Sequence, residues 1–218
     1  DTWRDTVNQL PDNKQSKVTN AWLEKNLRNI NIKFWRLIAG DFAFKELQLQ
    51  LLPVDKQWQL LLQSDDVIGQ ASIPFSGQPG IIDIQLQKLA LNPLHSNKSN
   101  NASPLAAVDP RTIPEIHGLC QACSYDDLDL GEVKLDTSKY ADGILVKSLS
   151  VINPTLKLFM SGSWSETTEG ASTHIKGSVM SGDVTKIMKD LHIASNLQAK
   201  SGSINFDVNW PAAPYQWQ

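Results

Sequence analysis

The chain is poor in the residues that usually carry chemistry. Among its 218 residues are two cysteines and four histidines. His95, His117, His174 and His192 lie far apart, and no second CxxC accompanies Cys120-Gln121-Ala122-Cys123, so no zinc-type ligand spacing exists. Asp126, Asp127 and Asp129 form an acidic knot without the glycine and distal glutamate of a calcium loop, and are assigned to a solvated turn. Ser161-Gly162-Ser163-Trp164 lacks the second glycine of a nucleophile elbow, and no glycine-rich phosphate loop is present. These gaps argue against an enzyme and imply no metal or cofactor. Long basic runs are missing too, and the net charge is −3, which argues against nucleic acid or an anionic membrane surface as main partner. No apolar run approaches the ~20 residues of a membrane-spanning helix, and no signal-peptide pattern opens the chain. The abrupt start in helix-like material suggests a piece of something longer.

What the chain does have is a repeat. Shifted by 86 positions, Ile116 falls on Ile30, Asp127 on Asp41 and Glu132 on Glu46 without a gap. Leu128 and Leu130 fall on Phe42 and Phe44, and Val133 and Leu135 on Leu47 and Leu49. Both copies share an irregularity. Their apolar residues occupy even positions and then jump to odd ones, across Lys45-Glu46 and across Gly131-Glu132. Side chains in a strand alternate with period two, so the jump needs a bulge or bend to keep one face apolar. A third phase change falls between Leu86 and Leu89.

Alternation gives the organisation. Residues 1–29 form a helical lead-in, with Trp3, Val7 and Leu10 at helical spacing before Pro11. Residues 30–91 form a first β module and 92–112 a polar, mobile connector. Residues 113–218 form a second β module whose sheet is continuous with the first. Within it, Val184, Ile187, Met188 and Leu191 predict a short amphipathic helix over 183–192, capped by Ser181 or Asp183. The strand-like runs, ten or eleven of them, are joined by short turns and predict an antiparallel meander.

Cys120 and Cys123 fall in a predicted strand. Residues three apart in extended backbone point to opposite faces with Cα atoms roughly 10 Å apart. They are therefore expected to fill apolar positions, like Phe34 and Leu37 in the first copy, and not to bond to each other. Trp58, Trp164 and Trp210 stand at the ends of apolar runs, where a ring closes the edge of a sheet.

A meander this long with so little helix must close into a barrel, stack as a sandwich, or curl around an exposed apolar face. The phase changes favour strong curling, which makes a mainly β, groove-like sheet. An open apolar concavity suits a chain-like ligand. The candidate lining is Leu47, Leu49, Leu60, Leu62, Val133, Leu135, Leu149, Val151, Leu156 and Leu158, with the choice of face open because each phase change could exchange it. The competing reading is a sandwich module with no ligand, serving only to space or dock other domains.

The run Leu130-Gly131-Glu132-Val133, then Leu149, Val151, Asn153 and Pro154, then Gly162-Ser163-Trp164, resembles the AsmA-like repeat region, and in particular the large YhdP-type proteins of Gram-negative bacteria. The helix after Ser181, the strand Ile204–Trp210 and Pro211 continue the likeness. It covers residues 113–211 well and residues 30–91 moderately. The resemblance implies a curled, groove-like β sheet in a periplasmic protein anchored in the inner membrane, which passes phospholipids towards the outer membrane. Its partners would be phospholipid acyl chains and the rest of the parent chain, with membrane contact made only by other parts of that parent.

Overall fold

A computed structural model describes residues 28–75, 80–94, 108–190 and 199–216. Most of the lead-in, the middle of the connector and the last two residues of the expected helix lie outside the described residues.

Among the described residues, eleven strands follow one another in the chain. The first module supplies β1 (Ile30–Ala39), β2 (Phe42–Val54), β3 (Gln57–Gln63), β4 (Val67–Pro74) and β5 (Ile82–Leu91). The second supplies β6 (Ile116–Tyr125), β7 (Leu128–Tyr140), β8 (Gly143–Ile152), β9 (Leu156–Thr167) and β10 (Gly170–Ser181), then β11 (Gly202–Trp210). All eleven form one sheet in chain order, with β1 and β11 at its ends. The two modules are thus parts of one continuous sheet, and it is not closed into a barrel. A shift of 86 carries both bounds of β1 onto β6 and both bounds of β2 onto β7, and the start of β3 onto the start of β8.

One junction departs from the expected meander. β5 and β6 run parallel, Ile82 opposite Ile116 and Leu91 opposite Tyr125. A parallel pair needs a long crossover, whereas a hairpin turn enforces an antiparallel one. β6 accordingly begins beside Ile82, at the end where β5 began. Between β10 and β11, the helix α1 (Val184–Asp190) serves as the link. Asp183 caps it, its Oδ1 accepting from Lys186 N at 2.8 Å.

Each phase change in the sequence is a bend in the sheet. Glu46 and Gly131 adopt left-handed φ of 48° and 68°, and the β4–β5 register slips between Ile68 and Gly69, opposite Leu86. The bend at Glu46 carries the start of β2 past the shorter β3 and β4. There Phe42 bridges to Pro93, Leu94 N donates to Asp41 O at 2.7 Å, and the Phe42 ring meets Tyr125 edge-on at 6.1 Å. Asp66 fastens the roll, since its carboxylate accepts from Lys45 N at 3.1 Å and Asn92 Nδ2 at 3.2 Å. Leu47 and Val67, inside it, are each only 4% exposed.

The end of the second module is filled differently. Val108, Ile113 and Tyr215 pack on a cluster of Ile144, Trp164 and Ala213. The Trp164 ring meets Tyr215 edge-on, and Trp210 Nε1 donates to Ala213 O at 3.1 Å. Trp58 likewise packs on Phe75, ring centres 5.1 Å apart.

Candidate functional site

Partners opposite one another in a sheet share a face, so the register can be followed strand by strand. One row runs Ile32, Leu49, Leu62, Gly69, Leu86, Cys120, Val133, Val151, Leu158, Val179, Ile204. The next row on that face runs Ile30, Leu51, Leu60, Ala71, Ile84, Gly118, Leu135, Leu149, Met160, Gly177, Phe206. Both cross all eleven strands without a polar residue. At strand spacings of about 4.8 Å, each is roughly 48 Å long.

The row between them points to the other face. It reads Asn31, Gln50, Leu61, Gln70, Gln85, Leu119, Lys134, Ser150, Phe159, Ser178, Asn205. A single register therefore separates a continuous apolar face from a mostly polar one.

All ten residues of the expected lining fall on the apolar face. Leu49, Leu62, Val133, Val151 and Leu158 belong to the first row, and Leu60, Leu135 and Leu149 to the second. Leu47 and Leu156 flank them, opposite Phe34 and Ser181. The same rows bring in Ile84, Leu86, Met160, Val179 and Phe206, which the sequence reading left out. Alternation within β5 or β10 shows two faces, but only the pairing with neighbouring strands shows which of them continues the rest.

Most of this face is half-buried. Leu47, Val67, Cys120, Cys123, Ile144, Val151 and Trp164 are its buried members, and Ile204 at the β11 edge is 64% exposed. No second sheet lies over it among the described residues. The bend at β2 places the face on the inside of the curl, where Phe42 and Tyr125 meet.

An open hollow of about 700 Å³ lies against β1–β6, and Ile32, Leu49, Leu62 and Leu86 of the first apolar row are among its lining. Its lining includes Gln48, Gln50, Gln63, Gln70, Gln85, Gln87 and Gln121.

The cysteines correct the sequence reading. Cys120 and Cys123 form a disulfide with Cα atoms 5.9 Å apart. The extended-strand estimate fails because β6 is not regular there. Its register against β7 slips between Cys120 and Cys123, from Val133 to Gly131, and the bulge shortens the span and turns both side chains to the apolar face. In β5 the phase change from Leu86 to Leu89 matches it, these two residues standing opposite the two cysteines. Nothing in the local alternation shows a bulge of this kind.

Charged groups lie away from the apolar rows. His117 Nε2 stands 3.1 Å from Asp136 Oδ1, and His174 Nε2 2.7 Å from Asp207 Oδ1. Near the Trp164 cluster, Arg111 is bound bidentately to Asp109, with Nη2 to Oδ2 at 2.7 Å. Those hydrogen bonds hold the Asp109 carboxyl below the usual carboxylate range and raise Arg111 above its ordinary value. Among the described residues no group of three or more His, Cys, Asp or Glu is arranged to hold a metal ion.

Searches of curated proteins and of solved structures found no match. A family model described as YhdP protein matches residues 1–218. With its repeated, curled sheet and continuous apolar face, the chain belongs to the YhdP family.

Proposed function

We propose that this chain is a lipid-binding segment of a periplasmic bridge, along which phospholipids pass between the inner and outer membranes. Membership of the YhdP family suggests an envelope protein concerned with lipid transport. The observation that carries the finer reading is the pair of apolar rows crossing all eleven strands. The hydrocarbon of one leaflet is about 15 Å deep, half of a ~30 Å core, so rows of roughly 48 Å exceed one acyl chain. A lipid tail can lie on them and move along them while its headgroup stays in water.

The action is passive. Each methylene withdrawn from water contributes roughly 0.8 kcal/mol wherever it lies along a uniform row, so no single position holds the chain fast. Leu135, Leu149 and Leu158 supply aliphatic surface, and at Gly177 the Phe206 ring fills the place a Cβ would take. Nothing here requires a nucleotide, and direction would come from other parts of the parent protein. A second reading draws on Leu47 and Val67, which are buried by the chain itself: the face closes on itself and the module merely spaces other domains.

Leu135→Asp and Leu158→Asp test the proposal, with Ser150→Asp on the polar row as control. All three are expected to keep a normal far-UV spectrum and a cooperative melt. The two leucine variants should lose lipid photocrosslinking and the phospholipid that mass spectrometry detects on the purified protein. Unfolding of both would favour the self-closed module, and undiminished crosslinking would remove the apolar rows from the lipid path.

A further inference from the structure

The apolar face runs into a polar hollow at one end of β9. Alternate residues of a strand share a face, and the β9–β10 register runs without a slip. Leu158, Met160, Gly162, Trp164 and Glu166 therefore lie on the apolar side. Trp164 stands opposite Ile144 and Thr173, and Glu166 opposite Ala171. Within about 20 Å of Met160, aliphatic surface gives way to an indole and then to a carboxylate. An open hollow of about 450 Å³ lies there, and Asp109, Arg111, Trp164, Glu166, Tyr215 and Gln216 are among its lining. Its polar groups are only partly used. Trp164 is 8% exposed, and its Nε1 is buried with no hydrogen-bond partner among the described residues. An indole N–H can only donate, and a buried donor left unpaired is costly, so it calls for an acceptor. Arg111 gives Nε and Nη2 to Asp109 and keeps Nη1. Gln216 Oε1 accepts from Ala213 N at 3.1 Å, which leaves Nε2. Glu166 N donates to Asp142 O, whereas its carboxylate forms no hydrogen bond among the described residues. That carboxylate lies near enough to Arg111 to favour the cation.

We propose that this hollow receives the headgroup of a phospholipid that carries a primary amine, a phosphoethanolamine group. The phosphodiester oxygens accept from Trp164 Nε1, Arg111 Nη1 and Gln216 Nε2, and the ammonium donates to Glu166. Asp109 stays engaged with Arg111, so Glu166 is the carboxylate left for the amine. The inference rests on the lipid-binding reading above, with the tails on the rows through Leu158 and Met160 and the head at Trp164. The rows are uniform and cannot tell one lipid from another, whereas this end can. A phosphoglycerol head brings its negative charge to Glu166 with no cation between them, and like charges at close range repel. A trimethylated amine keeps the charge but has no N–H to donate.

The probe is dihexanoylphosphatidylethanolamine, added as a monomer to the full chain labelled with nitrogen-15. The Trp164 indole resonance is identified by its loss in Trp164→Phe. The expected result is a saturable shift of that resonance, with the glycerol-headed and choline-headed analogues binding several-fold more weakly. In Glu166→Gln the preference should disappear while binding itself persists. The two readings fail in different ways. If none of the lipids shifts any resonance of the chain, the lipid-binding reading falls and the headgroup site with it. If the lipids shift amides along β7–β10 but leave the Trp164 indole unmoved, the rows bind lipid and the headgroup site is overturned. Equal binding of the three analogues to the unaltered chain, or a preference that survives in Glu166→Gln, would also overturn it. So would an equal indole shift with inorganic phosphate at the same concentration, which would make the hollow a site for free anions.

Discussion

The two modules have the same strand plan and bend it by different means. At the first bend the left-handed residue is Glu46, and at the second it is Gly131, one place apart in the repeat. In the first module, backbone and side-chain hydrogen bonds to Asp66 hold the bend, and Phe42 closes over it. In the second, Asn153 serves the nearby turn. Its Nδ2 donates to Asp129 O at 2.6 Å, and its Oδ1 accepts from Thr155 N and Leu156 N. There the carbonyl of Ile152 lies so close to Gly131 that a Cβ would collide with it. The second module also has a covalent staple where the first has Phe34 and Leu37. A bend that keeps the apolar set on one face is the shared requirement, and glycine, disulfide and carboxylate are interchangeable ways to meet it.

Breaking the glycine should have the largest effect. Gly131→Ala combines a left-handed alanine, at roughly 1–2 kcal/mol, with crowding against backbone, at about 1–3 kcal/mol. A loss of about 3 kcal/mol is expected in chemical denaturation, with faster hydrogen exchange in β7 and β8. A loss under about 1 kcal/mol would show that the bend relaxes freely and is not fixed by the glycine.

Removing the staple comes next. For so short a loop the chain-entropy model gives about 2 kcal/mol, so Cys120→Ser with Cys123→Ser should destabilise by about that amount. The bulge at β6 should loosen locally, read as faster exchange at Gln121 and Ala122, while β2 and β3 stay unchanged. Equal loosening of both modules would mean that the disulfide holds the whole curl. Glu46→Gly works in the opposite direction. It relieves left-handed strain but frees the unfolded chain, and a net gain of about 0.5 kcal/mol is expected. A loss would show that the Glu46 side chain contributes contacts that outweigh its backbone strain.

Much of this was legible in the sequence because period two is a strong signal. The 86-residue shift anticipated that β1 and β2 recur as β6 and β7, and the phase changes at Lys45-Glu46, Leu86–Leu89 and Gly131-Glu132 located bends that occur there. Two features were not legible, for a common reason. The direction of β6 beside β5 depends on where the connector leads, and the approach of Cys120 to Cys123 depends on a slip against β7. Both are set by pairing with distant strands, and local alternation carries no record of it. The same limit applied to the lining. Leu149 and Leu158 could be named from their own strands, whereas Ile84 and Phe206 joined them only once the registers of β5 on β4 and of β11 on β10 were known.

The smallest expected effect concerns the filled end of the second module, which has no described counterpart in the first. Asp109 accepts from Arg111 N and Nε at 2.9 Å through Oδ1, and from Nη2 through Oδ2. The turn Pro110–Thr112 depends on these bonds, and Thr112 N adds another to Asp109 O at 2.9 Å. Because the Asp109 carboxyl sits below its unfolded value, its contribution is complete above the ordinary carboxylate pKa of about 4. It is lost as pH falls through the lowered folded value. Arg111 is shifted upward, so its contribution is present below its ordinary value and would fade only in strong alkali. Both groups are exposed, and solvent screening keeps the effect on global stability small. The visible consequence should be local: below about pH 4, amide exchange at Arg111 and Thr112 should accelerate ahead of β8 and β9. Arg111→Gln should move the onset of that acceleration to higher pH. If the onset is the same in the variant, the guanidinium is not what holds the carboxyl down. If β8 and β9 loosen together with the turn, the small filled end is instead a support of the second module as a whole, comparable in weight to the roll around Asp66 in the first.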